Sequence, residues 1–237
     1  MSKFSKNYFN TNRLPPRCII YAGTYVPERK AWISSLFDSM ERIHGRRIIY
    51  SFARKGRKRY LVVFNIYGGP AILQAIRVIA EGHCRQIFFI GSMGAKKLDV
   101  GTIVLPTTII DKTGLVHIDS PGKSEVMAPV SINNKIREAN RRLGISYAEG
   151  KIVSVPAPLH NMEHIHALKA SDPKILGEEM ELSTFYHFSK KDNLYAYALL
   201  YVSDNQRIHL TSNETAAKRA RRSGLRAATR VALKVLP

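Results

Sequence analysis

One ten-residue segment, Tyr195 to Asp204, constrains the fold of this chain more than any other. It reads YAYALLYVSD, so it is apolar at almost every position and ends on a carboxylate. A strand that is apolar on both faces belongs inside a parallel sheet covered by helices, and such sheets bind ligands beyond the carboxyl ends of their strands. A partly desolvated Asp204 at that edge can hold a proton near neutral pH. An aspartate that caps the following helix fits the spacing equally well.

Two further apolar strands end in turns of small residues. Residues 18–23 read CIIYAG, and residues 86–94 read QIFFIGSMG. Such turns let backbone N–H groups approach an anion or a sugar, and a nearby helix N-terminus adds favourable partial charge. One glycine-rich turn is weak evidence. Three polar strand ends in one chain indicate a ligand site at one edge of the sheet.

Strands alternate with helices along the chain, which predicts an α/β fold with a mixed, mostly parallel central β-sheet flanked by helices. Helices are predicted at residues 28–43, 68–81, 131–143, 162–170, from 181 onward, and at 213–235. Strands are predicted at residues 18–23, 47–53, 59–67, 86–91, 151–155, 174–179 and 195–204. A hairpin-like stretch is expected at 102–110 and a loop at 114–129. The length of 237 residues suits one domain, so we assign residues 1–16 to an N-terminal arm and 17–237 to the domain.

The composition predicts a cytoplasmic protein without a membrane partner. The segment before the first strand is polar, and no apolar run approaches the roughly 20 residues that a membrane span needs. Cys18 and Cys84 fall in or beside apolar elements, so we expect reduced core residues rather than a disulfide framework.

The net charge of +19 raises nucleic-acid binding as an alternative function, because clustered Lys and Arg neutralise phosphates. The basic residues cluster at 54–59 and at 218–230. The first cluster lies between two predicted strands, as a hairpin would, and the second alternates with apolar residues along a helical stripe. Both patterns are typical of solvated faces, and no aromatic residues interleave them. Nucleic acid is therefore an alternative partner that we do not favour.

An acidic run, GEEME at residues 177–181, joins a predicted strand to a predicted helix. Carboxylates at a helix start compensate the helix dipole, which is one explanation of the run. Met180 is unusual in a pure cap. An apolar side chain beside a carboxylate suits the face and the hydroxyl edge of a sugar, because a carboxylate can accept two hydroxyl hydrogen bonds.

Residues 160–164 read HNMEH, which matches the H-x-x-E-H pattern of a zinc peptidase. Such a site needs a long helix, whereas Pro156 and Pro158 place His160 in a loop or at a helix start. We therefore predict no metal site and interpret the segment as a surface or substrate-facing loop.

Taken in order, these segments resemble the nucleoside phosphorylase family of the purine nucleoside phosphorylase and uridine phosphorylase type, closest to its bacterial and archaeal purine branch. The resemblance spans about residues 17–235 and rests on GSMGA at 91–95, DVG at 99–101 leading into Val104, EME at 179–181 and VSD at 202–204. It implies a mixed sheet with flanking helices and sites completed across subunit contacts, hence a homo-oligomer. It also implies no cofactor, with inorganic phosphate as co-substrate.

The resemblance implies a role for individual residues. Ser92 would lie beside the phosphate and the sugar, Met180 would pack on the ribose, and Glu181 would accept hydrogen bonds from the ribose 2′- and 3′-hydroxyls. Asp204 would be the general acid that protonates the leaving purine at N7, assisted by Arg219. The other implied contacts are Gly23 and Arg29 for phosphate, and Leu159, His160 and Glu179 for the nucleoside.

Two departures from the family pattern concern the second substrate. Phe89 replaces an arginine that such phosphorylases carry three residues before the serine, and the loop between Gly23 and Arg29 is about two residues longer. Related nucleosidases, which use water, also lack that arginine and need a carboxylate, for which Glu28 is the candidate. We predict a pentosyltransferase that cleaves purine nucleosides by phosphorolysis. The alternatives are a hydrolytic purine or methylthioadenosine nucleosidase, and a basic nucleic-acid-binding or nucleotide-sensing protein on this scaffold.

Overall fold

The computed structural model describes residues 9, 13–23, 27–44, 47–95, 97–157, 172–205, 208 and 215–236. The strands in these ranges are β1 (Arg17–Ala22), β2 (Ser39–His44), β3 (Ile49–Lys55), β4 (Lys58–Ile66), β5 (Gln86–Ala95), β6 (Ile103–Asp111), β7 (Glu125–Met127), β8 (Tyr147–Ser154), β9 (Ile175–Glu179) and β10 (Tyr195–Asn205). The helices are α1 (Pro27–Ser34), α2 (Gly69–Glu81), α3 (Leu115–Asp119), α4 (Val130–Leu143), α5 (Leu182–Lys191) and α6 (Thr215–Val235).

Five strands close into a ring. β5 pairs with β10, β10 with β6, β6 with β8, β8 with β9, and β9 returns to β5. β1 and β4 extend the sheet from β5 in parallel, and β3 and β2 continue it as an antiparallel meander. The two longest ladders, β5 with β10 and β6 with β8, are parallel. The prediction of a mixed central sheet is confirmed.

The apolar runs of β5 and β10 lie inside the sheet, as their sequences predict, because helices cover both faces. Side chains alternate between the two faces along each strand. Phe89 packs with Phe185 of α5 on one side, whereas Phe88 belongs to the core on the other side, which includes Ile136 of α4 and Val231 of α6. All five of these side chains are fully buried. The two cores hold the carboxyl ends of β5 and β10 in fixed register.

The structure corrects several predicted boundaries. The helix predicted over residues 28–43 ends at Ser34, and residues 39–44 form β2, because they pair with β3. The expected hairpin at 102–110 is the single strand β6, which pairs with β7, β8 and β10. The expected loop at 114–129 contains α3 and β7. Strand β5 continues beyond residue 91 to Ala95. The helix predicted at 162–170 lies outside the described residues.

The two basic clusters lie where the sequence predicts. Residues 54–59 form the hairpin between β3 and β4, which turns at Gly56 with φ of 57°. On α6, Lys218, Arg222, Arg226 and Arg230 are all exposed. Arg226 lies over the ring of Trp32, 5.7 Å from its centroid. Both clusters are solvent-facing surfaces of the fold.

Cys18 and Cys84 are free, buried thiols, and burial raises the pKa of both. None of the helices in the described ranges is long and apolar enough to cross a membrane. Leu14, from the segment assigned to the N-terminal arm, is also buried, and its backbone N–H donates to the Gly82 carbonyl at 2.9 Å. The boundary between arm and domain stays a prediction.

Candidate active site

A half-open pocket lies at the carboxyl ends of β1, β5 and β10, beside the end of β9. Six of the residues expected to bind substrate or to act in catalysis line it together: Gly23, Ser92, Glu179, Met180, Glu181 and Asp204. Their individual roles stay predictions. The convergence of the three polar strand ends is observed.

The order of the strands explains this convergence. β1 pairs with β5 only as far as Ile90, and β9 takes over the same edge of β5 at Gly94 and Ala95. The chain leaves β1 at Gly23, which has a φ of +96° that favours glycine, and the Gly23 N–H donates to the Ile66 carbonyl at 2.6 Å. The pocket therefore opens in the gap between the end of β1 and the start of α5.

Arg29 lies beside the first of these turns. Its Nη1 atom is 3.2 Å from the position that a Cβ would take on Gly23. Its Nε and Nη2 atoms are buried and have no hydrogen-bond partner among the described residues. Buried guanidinium donors without acceptors are costly, and an anion would supply the missing acceptors. Arg29 itself does not line the pocket, so its phosphate contact stays a prediction.

Glu179 is an anchor of the backbone. Its carboxylate accepts hydrogen bonds from the Ser154 hydroxyl and, at 2.7 Å each, from the backbone N–H groups of Glu181 and Leu182. These bonds satisfy donors at the start of α5, so the helix-start explanation of the acidic run holds for this residue. Glu179 is 4% exposed and fixes the position of the residues that follow it.

Glu181 is the second buried acid of the run. Its Oε1 atom accepts a hydrogen bond from the Gly68 N–H at 2.6 Å, which ties the acidic run to the start of α2. Burial raises the pKa of Glu181, and the nearby Glu179 charge raises it further. Burial also raises the pKa of Glu179, against its hydrogen bonds. The pair holds protons more readily than carboxyls in water do.

Asp204 is half-buried near the end of β10. The Ser203 hydroxyl donates to Asp204 Oδ1 at 2.6 Å and also lies 3.2 Å from the Met93 carbonyl oxygen. Asp204 lies within β10, and the next described helix begins at Thr215, so the helix-cap alternative does not hold. Its carboxyl group is oriented by a neighbouring hydroxyl at the edge of the pocket, and its role as a general acid stays a prediction.

The arginines of α6 differ in whether they contact the strand that carries Asp204. Arg219 is exposed and does not line the pocket. The Arg221 Nε donates to the Ser203 carbonyl at 2.7 Å. The assisting role of Arg219 stays a prediction, while Arg221 is the arginine in contact with the strand that carries Asp204.

Other residues singled out by the sequence lie elsewhere. Phe89 is fully buried, with its ring 5.2 Å from that of Phe185, so the position of the family arginine belongs to the core. Glu28 is exposed on α1 and does not line the pocket. Leu159 and His160, with the rest of the HNMEH segment, lie outside the described residues.

The pocket is also lined by residues to which the sequence reasoning assigned no individual role, among them Tyr67, Gly94 and Glu178. Tyr67 follows β4 and is 54% exposed. Glu178 belongs to the acidic run at residues 177–181, and that run was the signal for it. Gly94 was visible as part of the turn at residues 91–94. Its position between Asp204 and Glu178 depends on the pairing of β5 with β10 and β9.

Residues 24–236 match the sequence model of the Phosphorylase superfamily. The chain belongs to the phosphorylase superfamily. Among solved structures, uridine phosphorylase from Vibrio fischeri ES114 is similar over 95% of this chain and 92% of its own, with 18% identity and a TM-score of 0.81. Purine nucleoside phosphorylase from Toxoplasma gondii is similar over 94% of this chain and 90% of its own, with 18% identity and a TM-score of 0.77. A comparison with curated proteins gave no significant match.

The superfamily assignment confirms the resemblance seen in the sequence and the prediction of an enzyme of pentosyltransferase type. The two structural similarities confirm the α/β fold. One of these structures is a uridine phosphorylase and the other a purine phosphorylase, so membership in the superfamily leaves the base open.

Proposed function

We propose that this member of the phosphorylase superfamily cleaves the N-glycosidic bond of purine nucleosides by phosphorolysis, releasing free base and ribose 1-phosphate. One observation carries the proposal: a single pocket collects Ser92, Met180, Glu181 and Asp204 from separate parts of the chain. These side chains supply a hydroxyl, an apolar surface, a hydrogen-bond acceptor and a proton donor.

The bond changes can be followed at named groups. A phosphate oxygen attacks C1′ of the ribose as the bond from C1′ to N9 breaks, and the electron pair of that bond passes to the purine. Neutral Asp204 gives its proton to N7 and becomes a carboxylate, a transfer worth typically about 10²–10⁴-fold in rate. Glu181 accepts hydrogen bonds from the ribose hydroxyls, and contacts that tighten as C1′ becomes cationic lower the barrier further.

Arg29 favours phosphate over water as the second substrate. Its Nη1 atom lies beside Gly23, which lines the pocket, and its buried Nε and Nη2 atoms have no acceptor among the described residues, so a phosphate at this end of the pocket would supply the missing acceptors. Ser92 supplies a hydroxyl on the same edge. Contacts from a partner subunit in a homo-oligomer would add to this site, as the family resemblance implies.

A hydrolytic nucleosidase is the second candidate, because the position of the family arginine is occupied by the buried Phe89. Against it, Glu28 is exposed and does not line the pocket. No cofactor enters either reaction, and the cytoplasmic location stays an expectation.

The choice of a purine rests on the Ser203–Asp204 ending of β10. The Ser203 hydroxyl donates to Asp204 Oδ1, while Oδ2 lies 3.2 Å from the position that a Cβ would take on Gly94. A carboxyl held in this way can present one oxygen to a ring nitrogen such as N7, which pyrimidines lack.

The deciding experiment incubates the protein with adenosine, inosine and 5′-methylthioadenosine, with and without phosphate, and follows base release and the sugar product. Phosphate-dependent release with ribose 1-phosphate or its 5′-methylthio analogue supports the proposal. Release of free sugar without phosphate establishes a nucleosidase instead. Failure to cleave any of the three substrates would overturn both.

A matched pair of variants tests the acid. Asp204→Asn should lower kcat by about 10²–10⁴-fold while nucleoside binding persists, because the amide keeps the shape of the carboxyl but cannot give up a proton in its place. Asp172→Asn, which removes a carboxylate paired with Lys151 away from the pocket lining, should retain wild-type kcat. Unchanged turnover in Asp204→Asn would refute the acid assignment.

A further inference from the structure

Gly94 leaves a gap between two acidic side chains in the pocket. Gly94 of β5 is in register with Glu178 of β9 on one side and with Asp204 of β10 on the other. Residues in register on neighbouring strands project to the same face of a sheet. Because glycine has no side chain, the two acidic side chains can approach each other above the middle strand.

Both carboxylates reach toward this gap. The position that a Cβ would take on Gly94 lies 3.2 Å from Asp204 Oδ2 and 3.6 Å from Glu178 Oε1. Both residues line the pocket and both are half-buried. A flat ligand edge that approaches the two acids from the pocket therefore meets one carboxyl oxygen of each.

The two acids have different hydrogen-bonding capacities when Asp204 is the proton donor. Neutral Asp204 offers an O–H to an acceptor, whereas an ionised Glu178 only accepts. Adenine presents this pair of groups on one edge, with N7 as acceptor and the 6-amino group as donor. A 6-oxopurine presents two acceptors on the same edge, so its O6 would face a carboxylate without a hydrogen.

We propose that Glu178 is a specificity-determining residue that selects 6-aminopurine nucleosides over 6-oxopurine nucleosides. The inference rests on the proposed cleavage of purine nucleosides, since it assigns N7 to Asp204. Glu178 accepts a hydrogen bond from the 6-amino group, and it rejects the 6-oxo group because two acceptors then meet in a partly desolvated site.

The test measures kcat/KM for adenosine and inosine with the wild-type protein and with Glu178→Gln. Hydrogen bonds to charged groups are worth about 1.5–3 kcal/mol, so the wild-type protein should prefer adenosine by about tenfold to hundredfold. In Glu178→Gln the preference should fall toward unity, because the amide can donate to O6 or accept from the amino group. The control, Glu125→Gln, removes an exposed carboxylate of β7 outside the pocket lining and should keep the wild-type ratio.

Equilibrium binding of the same two nucleosides, measured by calorimetry on the same three proteins, separates this inference from the proposed reaction. If the wild-type protein turns over neither nucleoside but binds adenosine more tightly, and Glu178→Gln loses that preference, the reaction is wrong and the role of Glu178 stands. If adenosine is cleaved but the ratio is unchanged in Glu178→Gln, or if the wild-type protein prefers inosine, the role of Glu178 is overturned and the reaction stands. Binding of neither nucleoside overturns both.

Discussion

Phe89→Arg restores the arginine that related phosphorylases carry, and we expect it to unfold this protein rather than to strengthen phosphate binding. Phe89 is fully buried in the core beside Phe185. Removing a buried phenylalanine ring costs about 3–5 kcal/mol. An unpaired guanidinium in the same space adds several kcal/mol of desolvation. Domains of this kind are stable by only about 5–15 kcal/mol, so the substitution removes most or all of that stability.

The assay is thermal unfolding followed by circular dichroism, together with the soluble yield of each protein. Phe89→Leu is the matched control, because it keeps an apolar side chain and should lose only about 1–3 kcal/mol. Calorimetric titration with phosphate completes the comparison. A Phe89→Arg protein with a near-wild-type melting temperature and tighter phosphate binding would refute the reasoning, since it would show that side chain 89 can reach the pocket.

Three further results are expected. Gly177→Ala should lower the melting temperature, because its Cβ would overlap the Gly94 carbonyl oxygen where β9 meets β5. In urea unfolding, stability should fall as pH rises above about 4.3, the ordinary pKa of a Glu carboxyl, because burial raises the pKa of Glu179 and Glu181 and the folded chain then binds more protons than the unfolded chain. Glu181→Gln should make the decline of unfolding free energy with pH shallower. An unchanged slope would contradict the assignment of the decline to the buried acids. Arg221→Ala should lower kcat more than Arg219→Ala, because only Arg221 contacts the Ser203 carbonyl, and the reverse order in steady-state kinetics would favour Arg219.

The interior strands of the sheet could be predicted because a strand buried on both faces is a continuous run of apolar residues. β10 and β5 are continuous apolar runs, and both lie inside the sheet. β2 could not be predicted in this way. Its residues follow a helix whose apolar spacing continues through Met40, and only pairing with β3 makes them a strand. Helix propensity is a weak prior that such tertiary pairing overrides.

The site residues also fall into two groups, those that local sequence motifs predict and those whose role depends on tertiary pairing. Ser92 and Asp204 stand in short motifs near the carboxyl ends of parallel strands, so their convergence follows from the topology of a parallel sheet. Met180 and Glu181 follow β9, which meets β5 antiparallel, so their place in the pocket depends on that pairing. Glu178 gains its significance from Gly94, which is 84 positions away in the chain and adjacent in register. No local pattern encodes that pairing. Arg221 likewise differs from the neighbouring arginines of α6 only through its contact with Ser203.

The ring of strands has a consequence for how the chain reaches its folded state. β10 is the last strand of the ring to be synthesised, yet it lies between β5 and β6 and closes the ring. Until residue 205 has left the ribosome, β5 and β6 present unpaired apolar edges, which are templates for aggregation. Closure also requires contacts between segments more than 100 residues apart, which slows folding. A nascent or truncated chain without β10 should therefore depend on chaperones, and the candidate active-site pocket should be among the last parts of the molecule to form.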